Sequence, residues 1–384
     1  MTTETLSELV MSRRVLIAVG AGGVGKTTTA AALGVAAACR GRRVLCLTID
    51  PAKRLAESLG LQRVSSEEQT VGPELFAMAG IPFAGSLTAM MLDTKRTFDD
   101  LVLKYSSTPE RAQKLLSNKL YRYVSTSLAG TQEYMAMEKL VSVQRDARFD
   151  LIILDTPPTS NALDFLDAPM RLIEALDSST MRWFLQAFES TGKLSLNLLA
   201  RSASLVLRGL GRITGGGFLQ DMAAFIADLN DLFGGFRQRA EIVQAALRSP
   251  DVSFVLVTSP SPVSIDEVLF FNDRLVQASM PRGAFVVNRF RGAIEGERIS
   301  PPEGDVATAA TRLDLVLDAG APGRMLRAHA DAERLAALDA VHVEALCKRV
   351  AGQVPIVRVA EMAADVHDLR GLGAIATTLM AGGV

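Results

Sequence analysis

Cysteine is scarce in this chain, and the three it has, Cys39, Cys46 and Cys347, form no C-x-x-C pair. That excludes a disulfide framework and a cysteine-built zinc or iron–sulfur centre, and it points to a reducing compartment. Histidine is equally rare. His329, His342 and His367 stand well apart and are read as surface or packing side chains, not as a ligand cluster. Neither sign of charge is in excess: 41 basic against 42 acidic residues leave a net of -1, so no global field recruits nucleic acid or an anionic membrane. Apolar residues make up 48% of the chain, yet a charged residue interrupts every long apolar stretch before the ~18 residues that a membrane span needs. The stretch from Met1 to Ser12 carries acidic residues and no long apolar core, so no secretory signal is expected. A cytoplasmic location follows as the expectation.

What the chain does have is one glycine-rich stretch around which the rest is ordered. Val15 to Val19 is a short apolar run, Gly20-Ala21-Gly22-Gly23-Val24-Gly25-Lys26-Thr27 follows, and Thr28 to Cys39 is alanine-rich and helix-forming. The spacing G-x-x-x-x-G-K-T between a strand and a helix is that of a phosphate loop. Its glycines let backbone N–H groups converge on phosphate oxygens, and the helix behind adds the positive end of its dipole. Gly22, Gly23, Val24, Gly25, Lys26, Thr27 and Thr28 are therefore the candidate phosphate-binding residues. Lys26 is expected to neutralise the β and γ phosphates, and the Thr27 hydroxyl to sit on Mg²⁺.

Further apolar runs place acidic residues at strand ends, where sites in α/β sheets lie. Residues 43–49 run into Asp50-Pro51-Ala52, and Asp50 is either the N-cap of the segment from Lys53 to Leu59 or part of the site. Residues 148–154 run into Asp155, which stands where a Walker B type magnesium partner belongs; the alternative is a cap for the helix starting near Ser160. Strands are also expected over Ser253–Thr258, over Gly283–Val287 leading to Asn288, and over Val354–Val357. Strands alternating with helices imply a doubly wound, mostly parallel α/β sheet.

Two stretches exceed what such a sheet needs, about 86–146 and 161–247, and are read as an inserted helical subdomain of a single 384-residue domain. Within the first, helices are expected over Thr88–Tyr105, from Glu110, and over Thr131–Arg145. Within the second, the leucines from Leu194 to Leu210 suit a core-facing helix, or a mobile amphipathic element that lines a groove for an apolar partner. The region Ile299–Gly323, with three prolines, reads as a loop-rich excursion without an assigned role.

Together, residues 20–29, Asp50-Pro51-Ala52 and Asp155-Thr156-Pro157-Pro158-Thr159 resemble the family of arsenite-pump and tail-anchored-protein targeting ATPases, and more closely its bacterial anion-transporting branch. Ala129 to Leu140 and Asn161 to Leu166 add to the similarity. The resemblance implies a P-loop ATPase using ATP/ADP and Mg²⁺, with phosphates on Gly22 to Thr28 and magnesium between Thr27 and Asp155. It also implies that Asp50 orients or deprotonates the attacking water, that Asn288 reads adenine, and that Val354 and Pro355 pack on the base. Asp50 and Lys26 would then be the catalytic pair. An asparagine offers both donor and acceptor to an adenine edge, although Asn288 can equally be a turn residue.

The chain departs from this family at Ala21, where the wider deviant Walker A class carries a lysine that reaches the partner's nucleotide. It also lacks the zinc-clasping C-x-x-C and the metalloid-binding cysteines, and it holds one nucleotide motif, so arsenite transport is not expected. The expected function is an ATP hydrolase that couples nucleotide state to the conformation of a dimer, as a homodimer or a heterodimer with a related ATPase. A hydrophobic protein segment is the expected client, and nucleic acid is not expected as a partner. Two alternatives stay open, an ATP-binding scaffold that scarcely hydrolyses and a partitioning or positioning ATPase.

Overall fold

Runs of Val, Ile and Leu without polar alternation form strands only where helices cover both faces of the sheet, and this chain supplies both covers. The computed structural model describes residues 4–49, 54–61, 66–118, 121, 122, 125, 131–156, 238–292, 303–350 and 352–382. In it β1 (Val15–Val19), β5 (Leu151–Asp155) and β6 (Val252–Thr258) are buried along their whole length. They lie inside an eight-stranded sheet of order β3-β4-β2-β5-β1-β6-β7-β8, with β2 at Arg43–Thr48, β3 at Gln69–Thr70, β4 at Ser86–Met91, β7 at Arg282–Phe290 and β8 at Ile356–Ala360. All neighbours pair parallel except the two-residue edge strand β3, which runs antiparallel to β4.

Two apolar layers sandwich this sheet. On one face Leu16, Ala18, Val44, Cys46 and Ile153 pack against α1 (Leu6–Ser12), α2 (Lys26–Cys39), α3 (Arg54–Ser58), α4 (Pro73–Ala79) and the last helix, Leu369–Met380. Six alanines between Ala30 and Ala38, with Gly34 among them, let α2 lie close on the strands. On the other face Val15, Ile17, Leu45, Leu47, Ile152 and Leu154 meet α5 (Thr94–Tyr105), α6 (Pro109–Ser117), α7 (Thr131–Gln144), helical residues 238–247, α8 (Pro262–Gln277) and the carboxyl half of α10 (Ala321–Val350). The short α9 (Glu303–Arg312) precedes α10, and the last helix is α11. Among the described residues, no helix is long and apolar enough to cross a membrane.

Four expectations change. Residues 88–91, read as the start of a helix, belong to β4: Leu87, Ala89 and Met90 are buried between β2 and β3, and tertiary pairing overrides the helix preference of Ala and Met. The stretch 299–323 is not all loop, since α9 occupies its centre and Pro322 sits in the first turn of α10, where a missing N–H costs nothing. β7 runs on to Phe290, so Asn288 lies within the strand and not after it. The last strand starts at Ile356, which leaves Val354 and Pro355 ahead of it. The leucine-rich segment Leu194–Leu210 lies outside the described residues.

Candidate functional site

The parallel strands bring their carboxyl ends to one side of the sheet, and the glycine loop turns there from β1 into α2. Backbone conformation accounts for its residue types. Gly20 has φ +154°, and a Cβ built on it would stand 2.0 Å from the Val257 carbonyl oxygen of β6. Gly25, at φ +92°, is the residue before α2, and a Cβ there would stand 2.1 Å from Asn288 Nδ2. Only glycine satisfies both the left-handed backbone and the close approach. No side chain caps the N-terminus of α2, in contrast to α5 and α6, where Asp93 and Thr108 accept from the first turn. The first turn of α2 thus faces the loop with its amide donors and its dipole.

Lys26 is 6% exposed, a low figure for an ammonium, and its Nζ donates to the Ala21 carbonyl at 2.7 Å, folding the side chain back over the loop. Ala21 itself is 7% exposed, its methyl packed in the α2-side core. Asp155 ends β5 beside β1 and β2, in register with Ala18 and Thr48. It is 1% exposed, and its Oδ2 accepts from the Thr48 hydroxyl at 3.0 Å. The next residue is anchored as well, with the Thr156 hydroxyl donating to the Ala18 carbonyl at 2.8 Å. The Asp155 carboxylate and the Thr27 hydroxyl are hard-oxygen donors of the kind magnesium prefers, so the chemistry of these side chains fits that ion. Asp50 lies outside the described residues. The chain leading to it is placed by Ile49, whose N–H donates to the Asp155 carbonyl at 3.2 Å.

A cavity of about 810 Å³ opens over the loop, large enough for a nucleotide. Gly23, Gly25, Lys26, Thr27 and Thr28 form one wall, with Thr156 beside them, and Asn288 and Arg289 of β7 form another. Gly22 is exposed at the loop's outer edge, and the Val24 side chain is buried beneath it. Asn288 is 8% exposed and its Nδ2 donates to the Val24 carbonyl at 2.9 Å. Val354 and Pro355 are not at this end of the sheet. The Pro355 carbonyl accepts from Phe285 N at the entry to β8, so a parallel strand separates both residues from the cavity. The wall that the sequence reading assigned to them is built from Ala360, the last residue of β8, and the segment after it, including Glu361, Met362, Val366 and His367. Topology could have found it, because the segment leaving any strand parallel to β1 emerges beside the glycine loop. Glu57 and Ser58 of α3 also line the cavity, and no sequence signal set them apart.

With this geometry in place the comparisons with known proteins decide the family. The family model described as anion-transporting ATPase matches residues 13–297, well over half of the 384-residue chain. The chain belongs to the anion-transporting ATPase family. Among curated relatives, ATPase GET3 of Rhodotorula glutinis is 27% identical over 263 residues, covering 67% of this chain and 63% of that protein. ATPase get3 of Aspergillus terreus is 29% identical over 158 residues, 41% of this chain and 43% of the relative. ATPase ASNA1 homolog 1 of Paramecium tetraurelia is 31% identical over 150 residues, 39% and 42% of the two chains. The chain therefore spans less than two thirds of the length of each of these three family members. Family membership implies the ATP and magnesium binding typical of P-loop ATPases.

Proposed function

We propose that this family member hydrolyses ATP to ADP and phosphate with magnesium, and that the bound nucleotide sets its conformation. The observation that carries the reading is the convergence of the uncapped N-terminus of α2, the buried Lys26 and the buried Asp155 at one end of a parallel sheet, beneath a nucleotide-sized cavity. Gly22 to Thr28 hold the phosphates through backbone N–H groups. Lys26 leaves the Ala21 carbonyl for the β and γ phosphate oxygens, so an internal hydrogen bond is exchanged for a charge-assisted one. Thr27 and Asp155 would hold magnesium, whose charge would offset that of the β and γ phosphates. Asp50 orients the attacking water, whose oxygen bonds to the γ phosphorus as the bond to the β–γ bridging oxygen breaks. Asn288 and the segment after β8 enclose the base.

Loss of the γ phosphate would release the two strand ends that lead to Asp50 and Asp155, which are already tied to each other by the Thr48 hydroxyl and by Ile49 N. In this proposal those ends transmit nucleotide state to a dimer, formed with a second copy or a related ATPase, and to a helical subdomain drawn from about 94–146, after β4, and 161–247. The client is an apolar protein segment. Crosslinking of an apolar helical peptide should differ between the ATP and ADP states, and equal crosslinking in both would remove the client step.

A second reading is favoured by Ala21. Its small buried side chain supplies no charge to a neighbouring nucleotide, which suits a subunit that holds ATP and scarcely cleaves it. Single-turnover hydrolysis by the wild type and Asp50→Asn separates the two. The hydrolase loses about 100-fold or more in rate on substitution, whereas equal, near-zero rates identify the scaffold.

A further inference from the structure

The side chain of Asn288 reaches the phosphate loop itself. Its Nδ2 donates to the Val24 carbonyl at 2.9 Å, linking β7 to the residue before Gly25, where the loop passes into α2. The strand is shaped for this contact. The pairing of β7 with β8 shifts register between Val287 and Phe290, and Arg289 within that shift has φ +58°, a left-handed conformation that costs a non-glycine residue free energy. The loop is shaped for it too, because any side chain at Gly25 would occupy the space that the Asn288 amide takes. One N–H of the amide meets Val24, and its second N–H and its carbonyl oxygen remain for the cavity that Asn288 also lines.

We propose that Asn288 is a positioning residue for the phosphates: one rigid amide braces the Val24 carbonyl and faces the base, so the base side of the cavity sets the shape of the phosphate loop. This deepens, and rests on, the ATPase reading above. Reading of the base alone would be a contact local to the adenine. A brace makes phosphate affinity depend on a side chain that never touches phosphate.

Inorganic tripolyphosphate separates the two, because it has no base. The full chain, as wild type, Asn288→Ala and Asn288→Asp, is titrated calorimetrically with ATP and with tripolyphosphate in magnesium. The brace predicts that both substitutions weaken tripolyphosphate by about three- to tenfold, the worth of one hydrogen bond, with aspartate at least as damaging because it sets a carboxylate against the Val24 carbonyl. Tripolyphosphate affinity unchanged in both variants, with ATP affinity reduced, overturns the brace and leaves the ATPase reading intact. Should the variants fail to fold, the wild type answers by hydrogen exchange: adenosine alone slows exchange at the amides of residues 24–28 if the brace exists, and unaltered exchange there overturns it. A wild-type chain that takes up neither ATP nor tripolyphosphate contradicts the ATPase reading itself, a result distinct from either.

Discussion

The two ends of the sheet are built from the same strands and treat their polar groups in opposite ways. At the amino ends, charge is closed off within the protein. The Arg42 guanidinium donates to the carbonyls of Val10, Arg13 and Asp150 at 2.5, 2.8 and 2.5 Å, and Arg14 donates to those of Gln144 and Asp146 at 3.0 and 2.6 Å. Asp150 takes Arg43 on both carboxylate oxygens and accepts the Arg43 backbone N–H as well. At the carboxyl ends, Lys26 and the first turn of α2 line a cavity, with Asp155 buried at the end of β5, next to Thr156 of the cavity wall. The amino ends close strands and loops against each other, whereas the carboxyl ends leave polar groups facing an open cavity. The first set should therefore govern stability and the second activity.

Substitutions at the two ends test that division. The largest effect belongs to Lys26→Ala, which should lower kcat about 100-fold or more, measured by phosphate release, with little change in Tm. Gly25→Ala comes next. Its positive φ and the nearness of Asn288 cost about 1–3 kcal/mol of local strain, so ATP affinity should fall at least tenfold in a chain that still folds. At the other end, Arg42→Met leaves three carbonyls without their donor and should cost about 1–3 kcal/mol in denaturant unfolding while ATP affinity stays as in the wild type. If Arg42→Met impairs ATP binding as strongly as Gly25→Ala does, the division between the two ends fails.

The smallest effect is at Asp150, whose side-chain and backbone hydrogen bonds with Arg43 hold its carboxyl down to about 2. A depressed carboxyl contributes stability that is present above its unfolded value of about 3.9 and is lost as pH falls through the folded value. The pair is partly exposed, so Asp150→Asn should cost less than about 1 kcal/mol at neutral pH. The gap between variant and wild type should close as the pH is lowered from about 4 towards 2.

The same contrast explains what could be read from the sequence. The strands β1, β2, β5 and β6 were legible because burial on both faces leaves apolar runs, and the glycine loop because its backbone excludes other residues at Gly20 and Gly25. β4 was not, since Ser86 to Met91 mixes residues that suit either structure and only its place between β2 and β3 decides. The cavity wall assigned to Val354 and Pro355 was misplaced for a related reason. Val354 and Pro355 carry a conspicuous proline, whereas the segment that does line the cavity, Ala360 to His367, has no motif and owes its position to the parallel pairing of β7 and β8. The brace from Asn288 to Val24 joins residues 264 positions apart, and no local pattern encodes it.

The central claim, that ATP lies against the glycine loop with its phosphates on Lys26, is tested most directly by calorimetric titration of the purified chain with ATP and magnesium. The account predicts saturable binding at one site per chain, abolished or weakened more than tenfold in Lys26→Ala. Absence of heat from the wild type, or an identical isotherm from Lys26→Ala, would contradict it.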